Sequence, residues 1–291
     1  MKLLDGKKVS NKIKDELKPR INLLIQINNR PGLGIILVGD NIESKIYINM
    51  KEKSCSKLGI KTELHYLPDS INQKTIIEII QRMNNNSTLH GILVQLPLPK
   101  NLDTNLILNT VSYEKDVDGF HTLNAGKLFQ NRNIGFVPCT PKGCIQLLDH
   151  YNINVKGMNS VIIGCSNLIG LPISMMLLHR GATVIICHID TKNTKELVQQ
   201  ADLIVSCCGV AHLVKEDWVK ENAIVIDVGF NKLEDKSREQ EYRLVGDVDF
   251  ENVKNKVSYI TPVPGGIGPM TIAMLMEQIV RAAELNMTLK L

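Results

Sequence analysis

The sequence predicts a two-domain α/β protein built on parallel strands. Short Val- and Ile-rich runs alternate with helical stretches through the first hundred residues, and a second such series begins after Pro141. The four strands of that second series (160–164, 182–187, 202–206 and 223–228) are continuously apolar, as strands are when both faces of a sheet are covered.

In chain order, Val9, Ile13, Leu17, Ile21 and Leu24 recur at helical spacing and predict an opening amphipathic helix. Strands at 33–38, 61–67 and 91–96 follow, with helices at 43–58 and 72–83 between them, the alternation that right-handed crossovers produce. In the second series, helices at about 169–179 and 194–199 fill the gaps between strands. The Lys/Glu-rich stretch 231–241 reads as an exposed loop. The last helix, about 269–283, starts at Pro269, a residue suited to a first helical turn. The boundary between the two series falls near residues 120–140.

Composition excludes several classes. The chain has 291 residues, 44% hydrophobic and 22% charged, which is ordinary for a soluble globular protein with room for two cores. A net charge of +4 with both signs interspersed is too weak and scattered for nucleic-acid binding. The N-terminus has no signal or transit character, and no apolar run approaches the roughly 20 residues a membrane helix needs. A cytoplasmic protein with neither membrane nor nucleic acid as partner is expected. The seven cysteines are odd in number and form no C-x-x-C pair. They read as small buried apolar groups in a reducing compartment, with no metal site.

The strand at 160–164 runs into Gly164-Cys165-Ser166-Asn167-Leu168-Ile169-Gly170 and then a helix. In this context a dinucleotide pyrophosphate meets backbone N–H groups at the positive end of a helix. Gly164 allows the tight turn and Gly170 the close packing of helix on strand. Ser166 stands at the usual second glycine, where its hydroxyl either donates to phosphate or caps the helix. Asp190, near the end of the second strand, is placed either to bind ribose hydroxyls, which would favour NAD, or to be a solvated loop carboxylate.

In the first series, Ser44, Tyr47 and Lys51 share one helix face. By pattern alone such a lysine reads as a solvated charge. Gln95 interrupts an apolar strand at its carboxyl end, and a buried amide there needs backbone or ligand partners. Asp116 and Asp118 sit in a loop whose Asp-Gly step turn chemistry already explains. The run Thr261–Thr271, rich in Pro and Gly, is either a rigid connector or bare backbone against which a flat ligand can press.

Taken together, VGDN-x-x-S-x-x-Y-x-x-x-K from Val38 to Lys51, GILVQLPLP, KDVDGFH, NAGKL, PCTPKG, G-x-S-x-x-x-G-x-P, IDVG, VGDV and PVPGGIGPMT make the chain resemble the bifunctional methylenetetrahydrofolate dehydrogenase/cyclohydrolase family over nearly its whole length. The resemblance implies an N-terminal folate and catalytic domain at 1–138, with the C-terminal helix at 270–291 packing back on it. It implies a Rossmann-like NAD(P)-binding domain at 139–269, with a cleft between the two. It implies a homodimer of one-carbon metabolism, serving purine biosynthesis, that oxidises methylenetetrahydrofolate with NADP and hydrolyses the methenyl product to 10-formyltetrahydrofolate.

Carried over position by position, Lys51 is the catalytic lysine, Gln95 orients it, and Asp118 binds the pterin edge. Tyr47, with Ser44 on its face, stacks on the folate, and Val94, Leu96, Pro264, Gly265, Gly266, Ile267 and Gly268 line the folate slot. Gly164, Cys165, Ser166, Ile189 and Phe230 match the dinucleotide contacts. Two positions depart from relatives that hold the NADP 2′-phosphate with an arginine at Cys165 and a serine or arginine at Ile189. NADP preference over NAD then rests on Arg180, His188 or Lys192 as substitutes. Alternatives left open are an NAD-preferring or single-activity member, an unrelated NAD-dependent dehydrogenase, and a folate-binding relative without catalysis.

Overall fold

The computed structural model describes residues 1–132, 135–235 and 241–288. The first elements are β1 (Lys2–Leu3), α1 (Gly6–Gln26), β2 (Gly32–Val38), α2 (Ile42–Leu58), β3 (Lys61–Leu67), α3 (Gln73–Asn85) and β4 (Gly91–Val94). Short helices α4 (Thr104–Thr110), α5 (Thr122–Phe129) and α6 (Cys139–His150) lead into the second series. That series comprises β5 (Asn159–Ile163), α7 (Gly170–Leu178), β6 (Thr183–Cys187), α8 (Thr194–Gln199), β7 (Leu203–Ser206) and β8 (Ile224–Asp227). The chain ends with β9 (Asn231–Glu234), β10 (Tyr242–Val245), α9 (Phe250–Val253), β11 (Tyr259–Ile260) and α10 (Ile267–Thr288). Among the described residues no helix is long and apolar enough to cross a membrane.

Two compact units emerge. A front unit comprises Asn11–Cys139 with Ile272–Leu291, and a back unit Met1–Ser10 with Thr140–Thr271. The first ten residues, expected in the front domain, lie in the back unit because β1 pairs in parallel with β11.

In the front unit, three parallel strands run in the order β3-β2-β4, and every residue of the central β2 is buried. α2 is capped by Asn41, whose side chain accepts from Ser44 N at 2.9 Å, and ends at Gly59 in the left-handed region. Its buried stripe is Ser44, Ile48, Lys51, Cys55 and Leu58, a spacing that returns to one face every three or four residues. α1 and α10 supply Leu17, Ile21, Leu24, Met276, Ile279 and Val280 to the same core. Gln278 of α10, fully buried, donates through Nε2 to Val117 O at 2.6 Å and Val137 O at 3.0 Å and accepts from Val137 N at 3.2 Å. It ties down the segment that carries Asp118.

In the back unit, six parallel strands run β6-β5-β7-β8-β11-β1. Counted from β5, the order is 2-1-3-4-5, a doubly wound arrangement whose direction of winding reverses beside β5, where the strand neighbours both β6 and β7. Ligand crevices in such sheets open at the carboxyl ends of the strands at that point. The stretch 231–241, expected as a loop, supplies strand β9, which pairs antiparallel with β10; residues 236–240 lie outside the described residues. The final helix extends past both expected ends, and residues 289–291 lie outside the described residues.

Candidate functional site

Lys51 is buried, with 8% of its surface exposed, in the middle of the α2 stripe rather than solvated. Its Nζ donates to Gln95 Oε1 at 3.0 Å. Gln95 follows the last residue of β4 and is itself fixed, its Nε2 donating to Leu96 O at 2.7 Å and its backbone N to Ile36 O at 2.9 Å. Among the described residues no carboxylate lies within 4.0 Å of the Lys51 amine. One helical turn further on, burial pushes the Cys55 thiol up to about 12, so it stays neutral. An ammonium carries three donors, and a single neutral oxygen engages this one.

Tyr47, half-buried on the same helix, has its phenol pushed up by burial and by the charge of Glu43. Ser44 is buried at 3% exposure, so its side chain faces the interior. Val94 is 4% exposed and packs into a core with Ile36, Ile76 and Ile92, so its side chain is turned away from solvent. Leu96 is half-buried and leads into a cis peptide to Pro97.

The turn Asp116–Gly119 closes through Gly119 N to Asp116 O at 3.0 Å, and Asp116 bridges in parallel to Ile92 of β4. Gly119 has φ +73°, and a Cβ there would lie 2.4 Å from the Val137 carbonyl carbon. Asp116 is the structural carboxylate: it accepts from Phe120 N, His121 N and Asn124 Nδ2 at 2.8–3.1 Å, and burial raises it to about 6. Asp118 is half-exposed, and among the described residues its carboxylate has no hydrogen-bond partner.

The back unit holds the glycine turn. Gly164 has φ +119°, and a Cβ on it would approach Cys207 O to 2.7 Å; a Cβ on Gly170 would lie 2.0 Å from Gly164 O. Ser166 Oγ accepts from Ile169 N at 3.2 Å within the turn that precedes α7, whose own cap position, Ile169, has no side-chain cap, and this leaves the Ser166 hydroxyl proton to be donated elsewhere. Cys165 and Ser166 are exposed at this turn, Ile189 is 98% exposed just past β6, and Phe230 is 44% exposed past β8. The backbone at the turn, the start of α7 and these apolar side chains suit a dinucleotide. Asp190 is an exposed loop residue whose backbone N donates to His188 Nδ1 at 3.2 Å. Arg180 is committed elsewhere, making a two-pronged pair with Asp149. Of the seven cysteines four are buried, Cys207 and Cys208 are half-buried, and Cys165 departs from expectation by lying exposed.

In the same unit, Gly265 has φ +112° and accepts from Lys7 N at 2.9 Å, while a Cβ on Gly6 would lie 1.8 Å from Gly266 O. Pro264 and Gly268 are exposed, whereas Ile267 is buried at 4%. The Pro/Gly run is therefore packed by its own backbone against the start of α1, and it leaves Pro264 and Gly268 outward.

Two functional-looking carboxylates escaped the reading of the sequence. Asp227 and Asp247 are 3% and 0% exposed at the carboxyl side of β8 and just past β10. Burial raises Asp227 to about 7 against the backbone N–H groups of Val248, Asp247 and Gly229, which favour its charged form, and the neighbouring Asp247 charge adds to the rise. Asp227 borders a cavity of about 650 Å³ whose other ionisable lining groups are His212, Tyr242, Arg243, Asp249 and Glu251. Their signal in the sequence was the pair of motifs IDVG and VGDV, each an aspartate beside a glycine.

Residues 4–118 match the family model described as tetrahydrofolate dehydrogenase/cyclohydrolase, catalytic domain, and residues 138–287 match the NAD(P)-binding domain of the same family. The bifunctional protein FolD of a Nitratiruptor species is 51% identical over 285 residues, covering 98% of each chain. The crystal structure of the bifunctional FolD methylenetetrahydrofolate dehydrogenase/cyclohydrolase from Campylobacter jejuni is similar with TM-score 0.95 and 48% identity, covering 98% of this chain and 99% of that one. The Trypanosoma brucei FolD structure, complexed with NADP cofactor and inhibitor, is similar with TM-score 0.94 and 34% identity over 98% of each chain.

The Asp227 shift carries a sign that can be measured. Its folded value near 7 lies above the ordinary 3.8, so the neutral acid is favoured by folding. The resulting stability is fully present below the ordinary value and is lost as pH rises through about 7. Thermal midpoints of the wild type minus those of Asp227→Asn are expected to fall between pH 5 and pH 8. A flat or rising difference would place the proton elsewhere.

Proposed function

The chain belongs to the tetrahydrofolate dehydrogenase/cyclohydrolase family, and we propose that its two units divide the labour, the front residues handling folate and the back residues the dinucleotide. The protein oxidises 5,10-methylenetetrahydrofolate to 5,10-methenyltetrahydrofolate with NADP and then hydrolyses the product to 10-formyltetrahydrofolate. When bound, NADP would supply the acceptor for the hydride that leaves the methylene carbon.

The observation that carries the assignment of residues is the buried Lys51 amine with one neutral partner, Gln95 Oε1. Gln95 Oε1 accepts from the amine and so fixes where it points. Lys51 takes a proton from the water that attacks the methenyl carbon and returns one to the pterin nitrogen as the carbon–nitrogen bond opens, with one proton released overall. Tyr47 stacks on the pterin, and the Asp118 carboxylate accepts from its amino and amide N–H groups, the pairing that its lack of a partner among the described residues leaves open. Leu96 and the Val94 backbone meet the flat ring.

In the back unit, the turn at Gly164, Cys165 and Ser166 receives the pyrophosphate, and Ile189 and Phe230 contact the dinucleotide's rings. With Arg180 held by Asp149, the 2′-phosphate falls to His188 and Lys192 in the loop after β6. Family membership supports a cytoplasmic homodimer whose formyl product supplies purine biosynthesis, an assembly state that sedimentation reads directly.

Lys51→Met is expected to lower methenyl hydrolysis by about a hundredfold or more. Its thermal midpoint should hold or rise, because methionine suits a buried stripe of similar volume. Hydrolysis at the normal rate would remove Lys51 from the chemistry. Asp118→Asn is expected to raise KM for methylenetetrahydrofolate about tenfold, the order of one charge-assisted hydrogen bond; unchanged KM and kcat would take it out of the site. The ratio of kcat/KM for NADP over NAD should exceed one in the wild type and shrink in Lys192→Met. A wild-type preference for NAD would overturn the cofactor assignment.

A further inference from the structure

Asp227 and Asp247 form a reciprocal lock between two loops at the carboxyl ends of adjacent strands. Asp247 Oδ2 accepts from Cys208 N at 2.8 Å, Gly209 N at 3.1 Å and Ser206 Oγ at 3.2 Å, all on the segment that leaves β7. The Cys208 thiol approaches the same oxygen at 3.4 Å. Its other oxygen, Oδ1, accepts from Asn231 Nδ2 at 2.9 Å, on the segment that leaves β8. Asp227 answers in kind: Oδ1 accepts from Gly229 N and from Asp247 N at 2.9 Å, and Oδ2 from Val248 N at 2.9 Å.

Each aspartate needs the glycine of the other's motif. A Cβ on Gly229 would lie 2.1 Å from Asp247 Oδ1, and one on Gly246 would lie 1.8 Å from Asp227 Oδ2. The segments so pinned are not remote from the glycine turn, because the Cys207 carbonyl is the group that a Cβ on Gly164 would strike. Immediately beyond the pinned residues, Val210 and Phe230 present 49% and 44% of their surface to solvent. Two apolar side chains thus project from loops that Asp247 holds together, one through the backbone N–H groups of Cys208 and Gly209 and the other through the Asn231 side chain.

We propose that Asp247 is a positioning residue of the dehydrogenase reaction, holding the loops of Val210 and Phe230 as the wall against which the nicotinamide half of the dinucleotide rests. The proposal rests on the dinucleotide reading of this unit. Asp247 is fully buried, and it acts through the backbone of Cys208 and Gly209 and through Asn231. Loops after β7 and β8 lie on the far side of β5 from β6, whose following loop carries Ile189, so the adenosine half is not under this control.

The test measures binding of NADP and of its adenine fragment, adenosine 2′,5′-bisphosphate, to the full-length protein by calorimetry, with methenyl hydrolysis as a control on the front unit. Asp247→Asn keeps shape and one acceptor oxygen. It is expected to weaken NADP about tenfold, as the loss of a charge-assisted hydrogen bond does, and to leave the bisphosphate within about twofold and hydrolysis unchanged. Asn231→Ala, a change at a partly exposed strand end, should weaken NADP by about threefold with the same split, and it carries the test should Asp247→Asn not fold. NADP binding unchanged in the folded variants, or NADP and bisphosphate weakened by the same factor, would overturn the proposal and leave Asp247 a structural residue. A wild-type protein that binds neither molecule would remove the dinucleotide reading itself, and this inference with it.

Discussion

The front unit's chemistry depends on one amine buried where its helix would otherwise place a core residue. Lys51 sits between Ile48 and Cys55 in the inward stripe of α2, so the packing that folds the helix also takes the amine out of water. Burying an ammonium is unfavourable unless it is hydrogen-bonded. The bond to Gln95 meets that requirement only because Gln95 is immobilised in turn, by Leu96 O on its side chain and Ile36 O on its backbone. β4 ends at Val94, and Gln95 keeps one more backbone bond to β2, through Ile36 O, while its side-chain amide accepts from the Lys51 amine of α2. Neutrality below, from the Cys55 thiol, and beside, from the amide, keeps the site from becoming an ordinary ion pair.

The same principle, buried polar side chains satisfying backbone that secondary structure leaves over, organises the remaining loops. Gln278 engages Val117 and Val137 from the middle of α10, and Asp116 gathers the N–H groups that follow its turn. Asp227 and Asp247 do so past β8 and β10. Each of these side chains is at most 4% exposed, so its partners are fixed without competition from water. Half-exposed Asp118 stands beside Asp116 with the opposite disposition, and a single residue, Val117, separates a structural acid from one available to a ligand.

Periodicity made most of the scaffold legible. Strands β2, β3, β5, β6, β7 and β8 and helices α2, α3, α7 and α8 lie within one or two residues of expectation, since Val/Ile runs and Asn or Gly punctuation mark their ends. What was missed lacks a period. β1 and β11 are two residues long, α4 is seven residues, and α6 contains Pro141 and Gly143, the two residue types least suited to a helix interior. The sequence could not assign Met1–Ser10 to the back unit, because the strand that receives β1 lies at Tyr259–Ile260. At the site, Ser44, Tyr47 and Lys51 were legible as one face, but whether that face was wet or buried was not. The full stripe through Cys55 and Leu58 answers that, and it too was present in the spacing.

The carboxylate lock explains why two short motifs far apart in the chain take the forms they do. An aspartate can accept several backbone N–H groups only if the backbone comes within hydrogen-bond distance on all sides, and a β-carbon on the approaching strand occupies that space. Gly229 and Gly246 are therefore required by contact and not by flexibility: neither has the positive φ that glycine alone tolerates well, yet each would place a methyl group inside the opposite carboxylate. Reading IDVG or VGDV singly suggests a turn. Read as a pair, each motif supplies both the acid for one loop and the gap for the other's acid, so neither can be altered without the other losing its partner. Coupling of this kind ties the shape of the crevice to the integrity of the sheet beneath it, since strands β7 and β8 fix where the two loops begin.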